Sequence, residues 1–418
     1  MLRSWVPGAD GSGFPAEHLP YGVVSVGGGA PRVATRVGDV VVDLSRLARD
    51  GVGGLDELVG DDFDRPTLNA FMAGGRDRWR EVRARLTELV CDASQRTRIE
   101  PALVPAADVT HHLPIEVADY VDFYSSIEHA TNLGRLFRPD AEPLLPNWRH
   151  LPVAYHGRAG TVVVSGTPVV RPSGQRRAGD DITFGPTERL DIELEVGAVI
   201  GTPSTPGRPV PVGDAADHVF GLALVNDWSA RDIQAWEYQP LGPFLGKSFA
   251  TTLAPWITPL DALAPCRVPG PPQQPEPLPY LRLDGEWGFA VDLSVALRPA
   301  VARGEQVVSR TSFAGLYWRL PQQIAHLTVN GAHLRTGDLL ASGTVSGPER
   351  GSEGSLIELT RAGAEPLRVA GATRTFLQDG DEVVLRASAT VADGVTITLG
   401  EAAGRVVAAP GSDEVGAG

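Results

Sequence analysis

Residues 190–201 read LDIELEVGAVIG, and this stretch decides the fold. An apolar run interrupted only by acids, rich in β-branched residues and closed by Gly201, reads as a buried strand. Side chains alternate along a strand, so Glu193 and Glu195 project from one face and Asp191 shares it. Carboxylates aligned in this way repel one another unless a cation screens them, and a hard cation with oxygen ligands would resolve the conflict. A solvent-facing acidic edge strand carries the same spacing; the apolar neighbours favour burial.

Downstream, residues 223–238 read ALVNDWSARDIQAWEY. The apolar strand ends at Asn226-Asp227, which puts Asp227 where it can join the two glutamates as a ligand. In a following helix Arg231, Gln234 and Tyr238 fall on one face. An exposed helix face capped by Ser229 or Asp227 explains these residues as well as a pocket does. Residues 240–252, PLGPFLGKSFATT, hold Lys247 among Phe244, Leu245 and Phe249. It is the single lysine among 37 basic residues. A lone lysine either survives by chance on the surface or marks a place where a compact ammonium fits and a planar guanidinium does not. Beside carboxylates it stays charged and can stabilise a developing oxyanion.

Upstream, residues 119–139 read DYVDFYSSIEHATNLGRLFRP. Asp122, Tyr124, His129 and Arg138 come within a short span. Asp122 is a further candidate ligand. His129 is a candidate general base, the role histidine most often takes. An isolated histidine is usually structural; the company of Asp, Tyr and Arg singles this one out. Glu128 sets an extra acid beside it.

The chain of 418 residues has 48 Gly and 35 Pro, a composition of short strands and many turns. Arg32–Val37 and Val40–Leu44 read as a hairpin over Gly38-Asp39. Val82, Leu86, Leu89 and Val90 recur at helical spacing, with Asp77 as the N-cap. Thr161–Val164, Val169–Arg171, Val219–Asn226, Ala290–Leu297 and Glu382–Arg386 read as further strands. Residues 100–118 are Pro-rich and irregular, which places a domain boundary there. Residues 263–280, with seven prolines, read as a long ordered surface loop, and the final GSDEVGAG as a disordered tail.

A net charge of −14 without a basic stretch argues against nucleic acid and anionic membranes. No apolar run reaches the length of a membrane span, and none follows the N-terminus as a secretory signal would require. The expected compartment is the cytosol. Two distant cysteines exclude a disulfide framework and a zinc spacing. No GxSxG elbow, HExxH pair or Rossmann context is present.

The runs DFYSS, HATN, VVVSGTP, NDWSARDIQ, PLGPFLGKSF and FLQDGDEV, with FPAEHLPYGV near the start, resemble the fumarylacetoacetate hydrolase family along nearly the whole chain. The resemblance implies a mainly β fold with some α: an SH3-like barrel over residues 1–115, then a large mixed β-sandwich or roll over 116–418. It implies a cytoplasmic homodimer that binds calcium and/or magnesium through Asp122, Glu193, Glu195 and Asp227, with Lys247 and Thr251 at a further magnesium site. It makes His129 the general base, Glu358 the acid that orients it, and Arg231, Gln234 and Lys247 the groups that stabilise developing charge. Tyr124, Arg138, Tyr155, Gln234, Tyr238 and Thr344 correspond to substrate contacts.

The activity so implied is hydrolysis of the carbon–carbon bond of 4-fumarylacetoacetate, a small diketo acid, to fumarate and acetoacetate in tyrosine and phenylalanine breakdown. Acylpyruvate hydrolysis, or decarboxylation or hydration of a 2-oxo acid on the same fold, is the alternative. A 2-oxo acid decarboxylase or hydratase would keep the acids without needing the His129–Glu358 pair. An inactive metal-binding protein is a further rival, against which the intact His, Glu and Lys set argues.

Overall fold

The computed structural model describes residues 2–302 and 304–411. The expected disordered tail lies, from residue 412 onward, outside them. The first strands are β1 (Tyr21–Val26), β2 (Arg32–Val37) and β3 (Val40–Asp43), joined as antiparallel neighbours. The hairpin turns at Gly38, whose φ of +58° suits a residue without a Cβ. Helix α1 (Arg76–Cys91) buries Trp79, Val82, Leu86, Leu89 and Val90 along one face. Its N-cap is Gly75, two residues before the expected cap. Asp77 lies inside the first turn, where a carboxylate favours the positive end of the helix dipole.

Two short strands, β4 (Leu103–Pro105) and β5 (Val109–His112), pair with β3 and β1. The five strands are consistent with the expected SH3-like unit, but they do not close into a barrel. Instead β1 continues the ladder into the next part of the chain, with Tyr21 opposite Ile257 and Gly22 opposite Trp256.

That part supplies β6 (Tyr120–Phe123), α2 (Ile127–Phe137), β7 (Ala154–His156), β8 (Leu194–Ile200), β9 (Val219–Asp227), α3 (Arg231–Glu237), β10 (Trp256–Pro259), β11 (Leu339–Ala341) and α4 (Leu356–Leu359). One large sheet runs β4-β3-β2-β1-β10-β9-β8-β11-β6-β7. A second sheet joins Gln306–Ser312, Val291–Arg298, Glu382–Thr390, Thr396–Val407 and Val169–Val170, and its longest strand lies against β9. Every residue of β8 and β9 is buried. Strands covered on both faces read as continuous apolar runs rather than as an alternation. Among the described residues no helix is long and apolar enough to cross a membrane.

Register then gathers the acids. Glu195 lies opposite Val225 on β9, two positions before Asp227 ends that strand. Gly197 lies opposite Ala341 on β11, and Ala341 opposite Asp122 on the parallel β6. The end of β6, the end of β9 and the start of β8 therefore meet at one end of neighbouring strands in the interior of the sheet.

The expected single strand over Leu190–Ile200 is two pieces, Leu190–Asp191 and Leu194–Ile200. At the break Oδ1 of Asp191 accepts from the Ile192 amide at 2.7 Å, and Oδ1 of Asn226 accepts from the Glu193 amide at 3.2 Å. Side-chain acceptors take main-chain donors that a continuous ladder would have used. Asp191 thereby leaves the face it was expected to share.

Candidate active site

Asp122, Glu193, Glu195 and Asp227 each present an oxygen, and these atoms lie within 4.8 Å of one another. All four residues are buried. Both carboxylate oxygens of Glu195 and Oδ1 of Asp122 have no hydrogen-bond partner. Lys247 donates to Glu193 and, at 2.5 Å, to Oδ2 of Asp227. Arg231 places Nη2 2.8 Å from Oε1 of Glu193. Four carboxylates thus face two cationic side chains, and the remaining charge and orphaned oxygens fit a divalent cation with oxygen ligands.

Charge states follow from these surroundings. Burial, and then the Asp227 carboxylate, push Asp122 well above the usual carboxylate range. Burial and the neighbouring acids do the same to Glu195. Burial opposes ionisation of Glu193 too, but Lys247 and Arg231 hold it below the usual range. Burial disfavours the Lys247 ammonium, yet Asp227 and Glu193 outweigh it and raise its pKa. The cluster divides into a paired half around Glu193 and an unpaired half around Glu195 and Asp122.

Asp122, Glu193 and Glu195 floor a cleft of about 600 Å³. Its lining also includes Tyr124, His129, Arg138, Tyr155, Arg231, Gln234, Tyr238, Lys247 and Thr344. Asp227, Thr251 and Glu358 stand behind the lining. Ser126 caps α2 by accepting from the His129 amide at 3.3 Å, which sets the first turn and turns the ring inward. His129 Nδ1 lies 2.7 Å from Oε2 of Glu358, and its Nε2 lies 3.8 Å from Oε1 of Glu193. Tyr124 meets the imidazole edge to face at 5.3 Å. Glu128 occupies the same first turn but does not line the cleft.

Three residues that sequence reading did not single out complete the surroundings of Glu358. Asn132 Nδ2 donates to Oε1 at 2.9 Å, Ser355 Oγ to Oε2 at 2.6 Å, and Ser346 Oγ lies 3.0 Å from both oxygens. Burial favours the neutral acid, but His129, Ser355 and Asn132 hold Glu358 below its ordinary pKa. Asn132 follows His129 by three residues, a spacing that could have flagged it. Ser346 and Ser355 arrive from distant sequence and carry no such signal.

Across the cleft, α3 presents Arg231 and Gln234. Arg231 Nη1 donates to Oε1 of Gln234 at 3.2 Å, which leaves the Gln234 amide donors free for the cleft. Tyr155 donates to Oδ2 of Asp227 at 3.1 Å, and Thr251 Oγ1 lies 3.4 Å from Oδ1 of Asp227. Thr344 Oγ1 is buried without a partner. Arg138, at the end of α2, donates to the Pro143 carbonyl at 2.7 Å, and Tyr238 stands half-exposed at the rim. The arrangement offers a base backed by an ionised carboxylate, a cation cluster and several donors converging on one space.

The chain is similar to known proteins along nearly its whole length. Residues 120–407 match the family model described as fumarylacetoacetate hydrolase, C-terminal, and residues 17–114 the one described as fumarylacetoacetase, N-terminal. The fumarylacetoacetase of Homo sapiens is 46% identical over 415 residues, covering 97% of this chain and 99% of that protein. That of Arabidopsis thaliana is 44% identical over 419 residues, covering 98% and 99%. In fold, the chain resembles the crystal structure of a fumarylacetoacetate hydrolase from the psychrophilic Exiguobacterium antarcticum, with a TM-score of 0.55 at 17% identity, covering 93% of this chain and 99% of that one. The matched spans, the identity over nearly the full length and the convergent site have one explanation: the chain belongs to the fumarylacetoacetate hydrolase family.

Proposed function

We propose that this protein hydrolyses 4-fumarylacetoacetate to fumarate and acetoacetate. The observation that carries the reading is the His129–Glu358 pair, 2.7 Å apart, beside the four-acid cluster. A bound divalent cation would supply Lewis-acid stabilisation of negative charge on the diketone oxygens. His129 takes a proton from water at Nε2 while Glu358 holds Nδ1–H and stabilises the imidazolium. The water oxygen adds to the carbonyl next to the bond that breaks. As that bond breaks, its electrons pass to the acetoacetate carbon as an enolate, and the proton His129 took from water is returned to that carbon to complete the product. Arg231, Gln234 and Lys247 aim donors at the developing charge, each worth about 3 kcal/mol by the scale of oxyanion donors. Tyr124, Arg138, Tyr155, Tyr238 and Thr344 position the diketo acid.

An oxygen-only cluster suits calcium or magnesium. A magnesium ion beside Asp227 and Thr251 would compete with the Lys247 ammonium held there. We read the protein as a cytoplasmic homodimer. Leu241, Phe244 and Leu245 stand exposed near the cleft, an apolar surface that a second copy would cover, and sedimentation at micromolar concentration checks it. For the activity, loss of diketone absorbance is followed with calcium, with magnesium and with a chelator. Cation-dependent loss with fumarate and acetoacetate as products is expected. A folded, cation-loaded protein that leaves the substrate intact would sink the reading, and acylpyruvates would be tried next.

A further inference from the structure

The first acid of LDIELE, Asp191, stands outside the four-acid cluster and does not line the cleft. Asp191 is fully buried. Its Oδ1 accepts from the amides of Ile192 and Leu356, each at 2.7 Å. Its Oδ2 accepts from the Ile357 amide at 3.0 Å and from Nε of Arg231 at 2.8 Å. The Leu356 and Ile357 amides open α4, the single turn that carries Glu358. Ser355, in the capping position of that turn, makes no capping bond and spends its hydroxyl on Glu358. The task of capping passes to Asp191, 165 residues earlier in the chain.

We propose that Asp191 is a positioning residue that fixes, with one carboxylate, both the Arg231 guanidinium and the turn that presents Glu358 to His129. The inference rests on the hydrolytic reading above. A four-residue helix cannot hold its own orientation, because its first amides have no partners inside it. Two of them end on Asp191. Arg231 has three polar nitrogens, and Asp191 takes Nε, which leaves Nη1 and Nη2 turned to Gln234 and Glu193 at the cleft. One anchor therefore sets the distance between the base's partner and the charge-stabilising donor on the opposite wall. A shift in Asp191 would move the guanidinium and the turn together.

Asparagine has the same shape, but whichever way it turns, its NH2 meets two donors. The test measures kcat, KM and calcium affinity by calorimetry in wild type, Asp191→Asn, Glu358→Gln, Arg231→Lys and the two double variants. Displacement of reacting groups by about 1 Å costs on the order of 100-fold, so Asp191→Asn is expected to lose about 30- to 100-fold in kcat. Calcium affinity should stay within about threefold, because Asp191 touches no oxygen of the cluster. In the Glu358→Gln or Arg231→Lys background, the further loss should shrink by about fivefold or more, since the group being placed is already altered. A purely structural role would give losses that multiply. Multiplying losses, or wild-type kcat in folded Asp191→Asn, would overturn the proposal. If Asp191→Asn does not fold, Asp191→Glu, which keeps the charge and displaces it, takes its place with the same expectations. Failure of both to fold would make Asp191 structural and overturn the proposal too. A wild type inactive on fumarylacetoacetate sinks the hydrolytic reading itself, whereas an active wild type with an equally active Asp191→Asn sinks only this inference.

Discussion

Glu195 and Glu358 are equally buried, yet their surroundings drive them to opposite states. Nothing donates to either oxygen of Glu195, and burial with neighbouring acids pushes its pKa well up. Glu358 is buried against His129, Ser355 and Asn132, and they hold its pKa down. The first carboxylate could take a cation, and the second is set to stabilise an imidazolium. Glu195→Gln removes a group that must take up a proton to be buried beside its neighbours in the cation-free protein. The cation-free variant is expected to melt higher than cation-free wild type, by about 1 kcal/mol, and to gain less from added calcium. Scanning calorimetry with and without chelator measures both, and equal responses to calcium would remove Glu195 from the ligand set. Glu358→Gln has a different cost. Its amide either gives up Asn132 or turns NH2 toward Nδ1 of His129, which moves the imidazole proton to the nitrogen that must act as base. The expected loss in kcat is about 10²–10⁴-fold with calcium affinity retained.

At the level of elements, the positions of the acids were legible because strand spacing is local. The break after Asp191 was not, since it depends on which distant donors reach that carboxylate. Two of those donors belong to α4, a turn too short to leave a periodic signal. The expected cap at Asp77 missed by two residues because glycine at position 75 has no side-chain signature for capping. Gly343 shows what an element junction demands. It follows β11, has φ of +76°, and a Cβ there would collide with the Phe123 carbonyl at the end of β6. The next residue is Thr344, on the cleft wall. Gly343→Ala combines an unfavourable backbone conformation with a clash that main-chain atoms cannot relieve. It is expected to cost about 2–3 kcal/mol of stability. Activity per folded molecule should fall as well, because β6 carries Asp122. A urea titration and an assay at matched folded fraction check the two effects separately, and unchanged stability would show that the junction yields.

Across the whole molecule, the chain's two halves are tied by more than the ladder between β1 and β10. His18, before β1, is fully buried and its Nε2 lies 2.9 Å from Oγ1 of Thr258 on β10. Arg83 of α1 donates to the carbonyls of Glu17 and His18, and Phe220 of β9 packs on Tyr21, Phe71 and Trp79. One apolar core runs through both halves. Residues 100–118 read as irregular, but β4 and β5 lie within them and pair with β3 and β1; nor could sequence show that the sheet continues into the rest of the chain, because strand pairing over more than 200 residues leaves no local trace. Burial, and then Arg83, push the His18 pKa down from the ordinary 6.5 to about 3. Burial and Arg36 push His111, on β5, down to about 4. In the folded protein these rings stay neutral where the unfolded chain takes up protons. Their contribution to stability is therefore complete above pH 6.5 and is lost progressively as the pH falls toward their folded pKa values. For His18 alone the loss between pH 7 and pH 5 is about 2 kcal/mol, from 1.4 kcal/mol per pH unit below 6.5. His18→Gln keeps a polar side chain near Thr258 and removes the titration. Urea unfolding of wild type and variant at both pH values isolates the effect. The variant is expected to lose about 2 kcal/mol less than wild type over that interval. Since His18 sits where the halves join, fluorescence and circular dichroism should report one coincident transition. Equal acid losses in the two proteins would mean that the ring is protonated in the fold, and that this junction does not set the acid limit of the molecule.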